Sequence, residues 1–332
     1  MDNGELKINF KKAILITCLG MPLLSFGEDF NTPKTWFGDP DLQGTWTNAS
    51  LTTLERPDDY ESLIVGNKEA LIAKKRTEEF TNAVDNYLEP GETPKAGEDV
   101  GGYNTAWMDF GTELFKIDGK YRSSILTYPE DGKLPRRWIA WGKEVLSIRR
   151  MFTQADHPEL RSLGERCVVG FGSSGGPPML NVLYNNHYQI VQSPGYVMIM
   201  VEMNHDARIV RLNSEYNPEN MRRWLGDSIG YWEGDTLVVK TKNHHLQQRF
   251  RAAIRHQILI SDEAIITERF KRVGEDEILY QFQVDDKEAY KDVWEGEMPL
   301  RASSKKIYEY ACHEGNYSMA NILAGARAQE SN

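Results

Sequence analysis

Apolar and polar residues alternate along this chain with two different periods. From Asn67 to Leu88, NKEALIAKKRTEEFTNAVDNYL places Leu71, Ile72, Phe80 and Val84 at helical spacing behind Asn67, a good cap. A second helix is expected over Pro135–Arg150, and a short third over Tyr317–Ala328. From Tyr103 onward the dominant period is two. ELFKIDGKYRSSILTY turns at a central Asp-Gly and reads as a hairpin. HYQIVQSP, YVMIMVEM, ARIVRL, IGYWEGDTLVVKTKN, AIITERFKRV and EILYQFQVDD follow, with reversals at Gly234-Asp235 and Gly274-Glu275-Asp276. Short strands joined by turns, without intervening helices, predict a mainly β fold built on an antiparallel, lipocalin-like barrel.

The stretch before Tyr103 carries little strand signal. Residues 28–102 are read as a partly helical N-terminal elaboration, and 103–332 as the barrel with its C-terminal helix, together one folded unit. Within the loop-like stretch Asn31–Asp59, DLQGTWT resembles the Gly-x-Trp opening of lipocalin barrels. GERCVVGFGSSGGPPML contains a Gly-rich run that lacks the Lys-Ser/Thr ending of a phosphate loop, so it reads as a structural turn.

Composition narrows the setting. Lys7, Lys11 and Lys12 precede the short apolar run AILITCLGMPLLSF, the pattern of a secretory signal over residues 1–27, so a periplasmic or secreted location is expected. Thr17, before Cys18, stands where a lipoprotein signal carries a smaller residue, which favours simple secretion. No later run is long enough to span a membrane. The net charge of −10 comes without a basic cluster, which argues against nucleic acid as a partner. Beyond the leader only Cys167 and Cys312 remain, and in an oxidising compartment they are expected to pair; two buried thiols are the alternative.

The densest chemistry lies in Asn186–Leu212, where the apolar YVMIMVEM ends in Glu202, Asn204, His205 and Asp206. On an extended strand Tyr196, Met198, Met200 and Glu202 share a face. With that face inward, Glu202 gains a raised pKa suited to a general acid, unless Arg208 pairs with it. His205 and Asp206 fall at the rim, as a proton-transfer pair or as a satisfied turn. His187 and Gln189 alternate along one strand and point at the same cavity. His313 follows Cys312, and a disulfide would give it a rigid mount. Tyr103, Asn104, Trp107 and Arg122, with Asp109 nearby, can grip a polar ring or an anion. His187, His205, His313 and Glu202 lack metal-ligand spacing, and no cofactor motif occurs, so neither metal nor cofactor is expected.

Taken in order, YNTAWMDFG, RSSILTYPEDGKLP, GERCVVGFGSSGGPPML, YQIVQSPGYVMIMVEMNHDARIV, RRWLGDSIGYWEGDTLVVKT and IYEYACHEGNYSMANILAGARAQE resemble a large family of secreted bacterial proteins with no assigned reaction. The resemblance spans about Pro40 to Glu330 and implies export and a single folded unit. It carries over no site residue. NSEYNPENM stands where many members have a longer polar loop.

Three functions remain open on this reading. The first is a cofactor-independent lyase, hydratase or isomerase acting on a small apolar or aromatic molecule, with Glu202, His205 and His187 moving protons and Asp206 orienting them. The others are a non-catalytic periplasmic carrier of a small ligand, and a carbohydrate-active enzyme using Glu202 and Asp206 as its carboxylate pair.

Overall fold

The computed structural model describes residues 30–85, 108–253 and 255–330. The expected leader lies outside them, as do Tyr103, Asn104 and Trp107.

Period-two alternation forms strand in every segment where it was read. The strands are β1 (Gly44–Thr47), β2 (Ile64–Val65), β3 (Lys116–Ile117), β4 (Lys120–Arg122), β5 (Leu126–Tyr128), β6 (His187–Ser193), β7 (Tyr196–Val201) and β8 (Ala207–Leu212). They continue as β9 (Asp227–Glu233), β10 (Thr236–Lys242), β11 (Phe250–Ala253), β12 (His256–Leu259), β13 (Ile265–Gly274), β14 (Glu277–Asp285) and β15 (Trp294–Ala302). Nine of them close a barrel in the order β1–β6–β7–β8–β9–β10–β13–β14–β15, with β15 pairing back to β1. Asp118 and Gly119 both take positive φ, as the tight β3–β4 turn demands.

The barrel is mixed rather than antiparallel throughout. β8 and β9 run parallel, because the connection Asn213–Gly226 carries the chain back along the barrel instead of reversing it in a hairpin. The closing strand β1 comes from DLQGTWT, inside the segment read as N-terminal elaboration.

Trp46, Tyr188, Ile199, Val210, Phe270, Tyr280, Trp294 and Met298 project inward, none more than 2% exposed. The barrel interior is a packed core and not a chamber. This reverses the expected facing of β7. Val197, Ile199 and Val201 face the core, while Tyr196, Met198 and Met200 face out, with Glu202 on the same side. Both rows are apolar, so alternation alone could not choose between them. The stiff β-branched row packs against the inner aromatics, and the flexible methionines are left outside.

Arg208, the alternative considered as a partner for Glu202, also points inward. It binds Glu268 through both terminal nitrogens, Nη2 to Oε1 at 3.0 Å. Tyr280 OH donates to the same Oε1 at 2.8 Å and accepts from the Met179 N–H at 2.9 Å.

Among the described residues there are three α-helices, none of them part of the barrel: α1 (Asn67–Asp85), α2 (Trp138–Thr153) and α3 (Tyr317–Glu330). Glu69 accepts the Gly66 N–H at 3.1 Å, which puts Gly66 rather than Asn67 at the N-cap. Among the described residues no helix is long and apolar enough to cross a membrane. Cys167 and Cys312 form a disulfide with their Cα atoms 5.7 Å apart, tying the Gly-rich loop to the C-terminal tail.

Candidate active site

Strand register builds the site on the outer surface of the barrel. Thr47, His187 and Glu202 form one outward row across β1, β6 and the end of β7, where the Glu202 N–H donates to His187 O at 2.9 Å. Thr45, Gln189 and Met200 form the next row. After β15 the chain lies across these rows as a strap. The Ser303 N–H donates to Thr45 O at 2.8 Å, and the Tyr308 N–H donates to Glu202 Oε1 at 3.4 Å. His205 Nε2 donates to Tyr308 O at 2.9 Å. Between strap and strands lies an open groove of about 600 Å³, lined by Thr45, Gln189, Met200, His205, Ser303 and Lys305 among others.

A chain of three side chains runs from this groove into the protein. Ser303 Oγ lies 3.1 Å from His187 Nε2, and His187 Nδ1 lies 3.1 Å from Glu202 Oε2. Ser303 is half-buried and lines the groove, whereas His187 and Glu202 are each 4% exposed. Asp109 brings a second carboxylate, its Oδ2 3.6 Å from His187 Nδ1. Its Oδ1 lies 3.8 Å from the Lys305 ammonium. The Lys305 N–H donates to Ser303 Oγ at 3.2 Å and fixes the hydroxyl.

Burial opposes the charge of Glu202, but the His187 hydrogen bond and its charge outweigh that and hold the carboxyl below its usual range. The expected protonated acid is therefore an ionised carboxylate. In the neutral form of His187 the bond to that carboxylate uses the Nδ1 proton, which leaves Nε2 as the acceptor for Ser303 Oγ. The arrangement has the connectivity of a nucleophile, a base and an orienting carboxylate.

The remaining expected residues divide. Gln189 and His205 line the groove. Asn204 and His205 have φ of 59° and 51°, left-handed backbone that costs about 1 kcal/mol each. Asp206 does not orient His205 by a hydrogen bond. Its Oδ2 accepts the Gly170 N–H at 2.9 Å and pins the Gly-rich loop; burial raises its pKa despite that bond. Tyr196 stands at the other end of β7, about 20 Å from Glu202 at the rise of a strand. Arg122 pairs with Glu297 at 3.2 Å, away from the groove. His313 is exposed in the turn after the disulfide. Among the described residues no three His, Cys, Asp or Glu side chains are grouped to hold a metal ion.

Ser303 was invisible to sequence reasoning. It stands 116 positions from His187 in a plain Ala-Ser-Ser-Lys run, with no elbow motif to mark it. No protein-family model, curated protein or solved structure matches the chain, so the site is read from its own geometry.

Proposed function

We propose that the protein is an exported hydrolase that cleaves small esters by acyl transfer to Ser303. The observation that carries this reading is the unbroken contact chain Ser303 Oγ–His187–Glu202, opening onto the groove. His187 Nε2 takes the hydroxyl proton as Oγ attacks the acyl carbon, and Glu202 and Asp109 stabilise the imidazolium. That proton then passes to the departing alcohol. Water, deprotonated by the same imidazole, releases the acid and restores Ser303. The backbone N–H groups of Ser304, Lys306 and Ile307 in the strap make no hydrogen bond among the described residues, and a developing oxyanion would draw its donors from these. Met200 and Ile307 supply an apolar wall, and Lys305 and Lys306 supply positive charge.

The disulfide supports export, since such bonds persist in oxidising compartments. The Gly44-x-Trp46 strand that closes the barrel supports a lipocalin-like relationship, from which the parallel pair and filled interior depart. A lyase, hydratase or isomerase would use the same imidazole as its base, and the second carboxylate beside it, Asp109, favours that alternative.

A fluorophosphonate probe, with p-nitrophenyl acetate turnover, separates the two. Wild type should label at Ser303, and Ser303→Ala should lose both label and turnover. Glu202→Gln should lower turnover by about 10³-fold or more. An unlabelled Ser303 in folded wild type, or full turnover in Ser303→Ala, would remove the hydrolase reading.

A further inference from the structure

Beyond the groove the outer wall of the barrel stays apolar. Met200, which lines the groove, stands between Gln189 on β6 and Ala207 on β8. Two residues along β7, away from Glu202, the next outward row is Val191, Met198 and Ile209. The row after it is Ser193, Tyr196 and Arg211. Facing neighbours in such rows stand about 5 Å apart, so Val191, Met198 and Ile209 make one unbroken apolar band across three strands. Val191 is 38% exposed, Ile209 46% and Tyr196 52%.

An apolar stripe left in water on an outer barrel face points to something that lies on it. This one is continuous with the groove, because Met200 belongs to both, and Ser303 lines that same groove. On the other side of Ser303 and Ser304 a second open cavity, of about 690 Å³, is lined by Asp276, Glu277, Arg301 and Ala302. The two sides of the hydroxyl therefore differ: apolar along β7, charged toward the β13–β14 turn. The stripe also has an end. Tyr196 is the first strand residue after the Gly195 turn, about 13 Å from Met200 at the rise of a strand.

We propose that the acyl part of the substrate is an unbranched alkyl chain of medium length, its carbonyl at Ser303 and its tail along Met200, Met198, Ile209 and Tyr196. The inference rests on the hydrolase reading and names the substrate class for it. The span from Met200 to Tyr196 is the extended length of roughly ten carbons. Methionine suits such a wall, since its flexible thioether adapts to a chain with no fixed shape. The alcohol then lies toward the charged cavity, which fits a polar alcohol better than a second alkyl chain.

A series of p-nitrophenyl esters from acetate to dodecanoate, each below its solubility limit, tests this on wild type and on Ile209→Asp. Wild-type kcat/KM should rise about 2-fold for each added methylene, the gain for a chain that leaves water on one side only, and level off beyond roughly ten carbons. Ile209→Asp sets a carboxylate in the path of the tail, and its decanoate-to-acetate ratio of kcat/KM should fall by about 10-fold or more. The ratio cancels any difference in the amount of active protein. A flat series in wild type that still turns over acetate overturns this inference and leaves the hydrolase reading standing, whereas no turnover of any ester overturns both. An unchanged ratio in Ile209→Asp also overturns it. If sedimentation then shows a wild-type dimer that Ile209→Asp dissociates, the stripe belongs to a second copy of the chain.

Discussion

Acidification from pH 8 to pH 5 should cost the fold about 4 kcal/mol through two side chains alone, His244 and His256. Both are buried, at 0% and 6% exposure. Burial is the main cause that lowers each imidazole from the usual 6.5 to about 3, and in both cases a neighbouring arginine adds to it. The sign follows from linkage. A depressed folded pKa means that the unfolded chain binds the proton first, so stability is complete above pH 6.5 and falls as pH drops toward 3. At pH 5 the unfolded pKa lies 1.5 units above the medium, which is about 2 kcal/mol per histidine. Urea unfolding at pH 8, 6.5 and 5 measures this. The comparison is with a His244→Gln/His256→Gln variant, so that every other titration cancels. If wild type and variant lose the same stability between pH 8 and pH 5, the two imidazoles are not held neutral and the reasoning fails.

Two further outcomes test other parts of the structure. Glu268→Gln strips Arg208 of its charge partner and should cost about 3–5 kcal/mol in urea unfolding, whereas Arg208→Met with Glu268→Leu should recover most of it. A single-variant loss below about 1 kcal/mol would mean that the pair is hydrated rather than buried. Replacing Cys167 and Cys312 by serine opens a link between residues 145 apart and should cost about 2–4 kcal/mol. It should also speed limited proteolysis between Ser303 and Cys312, and an unchanged cleavage rate there would show that the strap is held without the disulfide.

Much of the fold was legible because its elements carry strong local signals. Asp118-Gly119 marks a turn whatever surrounds it, and Val197, Ile199 and Val201 are strand residues on any reading. The facing of β7 was not legible, since Met198 and Met200 are as apolar as the row behind them. Choosing between the rows needed Tyr188, which stands opposite Val201 and belongs to another strand. The parallel β8–β9 pair was hidden for a similar reason. A connection that doubles back and one that reverses in place have the same composition. At the site, His187 and Glu202 were found as ionisable groups near the ends of apolar strands, but their contact rests on cross-strand register. Asp206 was found by the same signal and serves instead to hold the Gly170 loop.

The interior of the barrel and the position of the groove are linked. Aromatic rings and the Arg208–Glu268 pair fill the space that a ligand would need inside, so recognition falls to the outside. There, β1 is only four residues long, and the outer rows of β6 and β7 beside it would be bare without the strap. Barrel register alone positions His187 and Glu202, because their backbones are joined by the 2.9 Å Glu202 N–H to His187 O bond. Ser303 is different: it reaches His187 only once β15 has paired with β1 and the tail has crossed the strands. Base and carboxylate are therefore set by the body of the fold, whereas the nucleophile is delivered by a tail that the disulfide tethers further along. Loosening that tail should remove Ser303 from His187 while leaving the His187–Glu202 contact intact. The proposed hydrolysis would then fail well before the barrel unfolds.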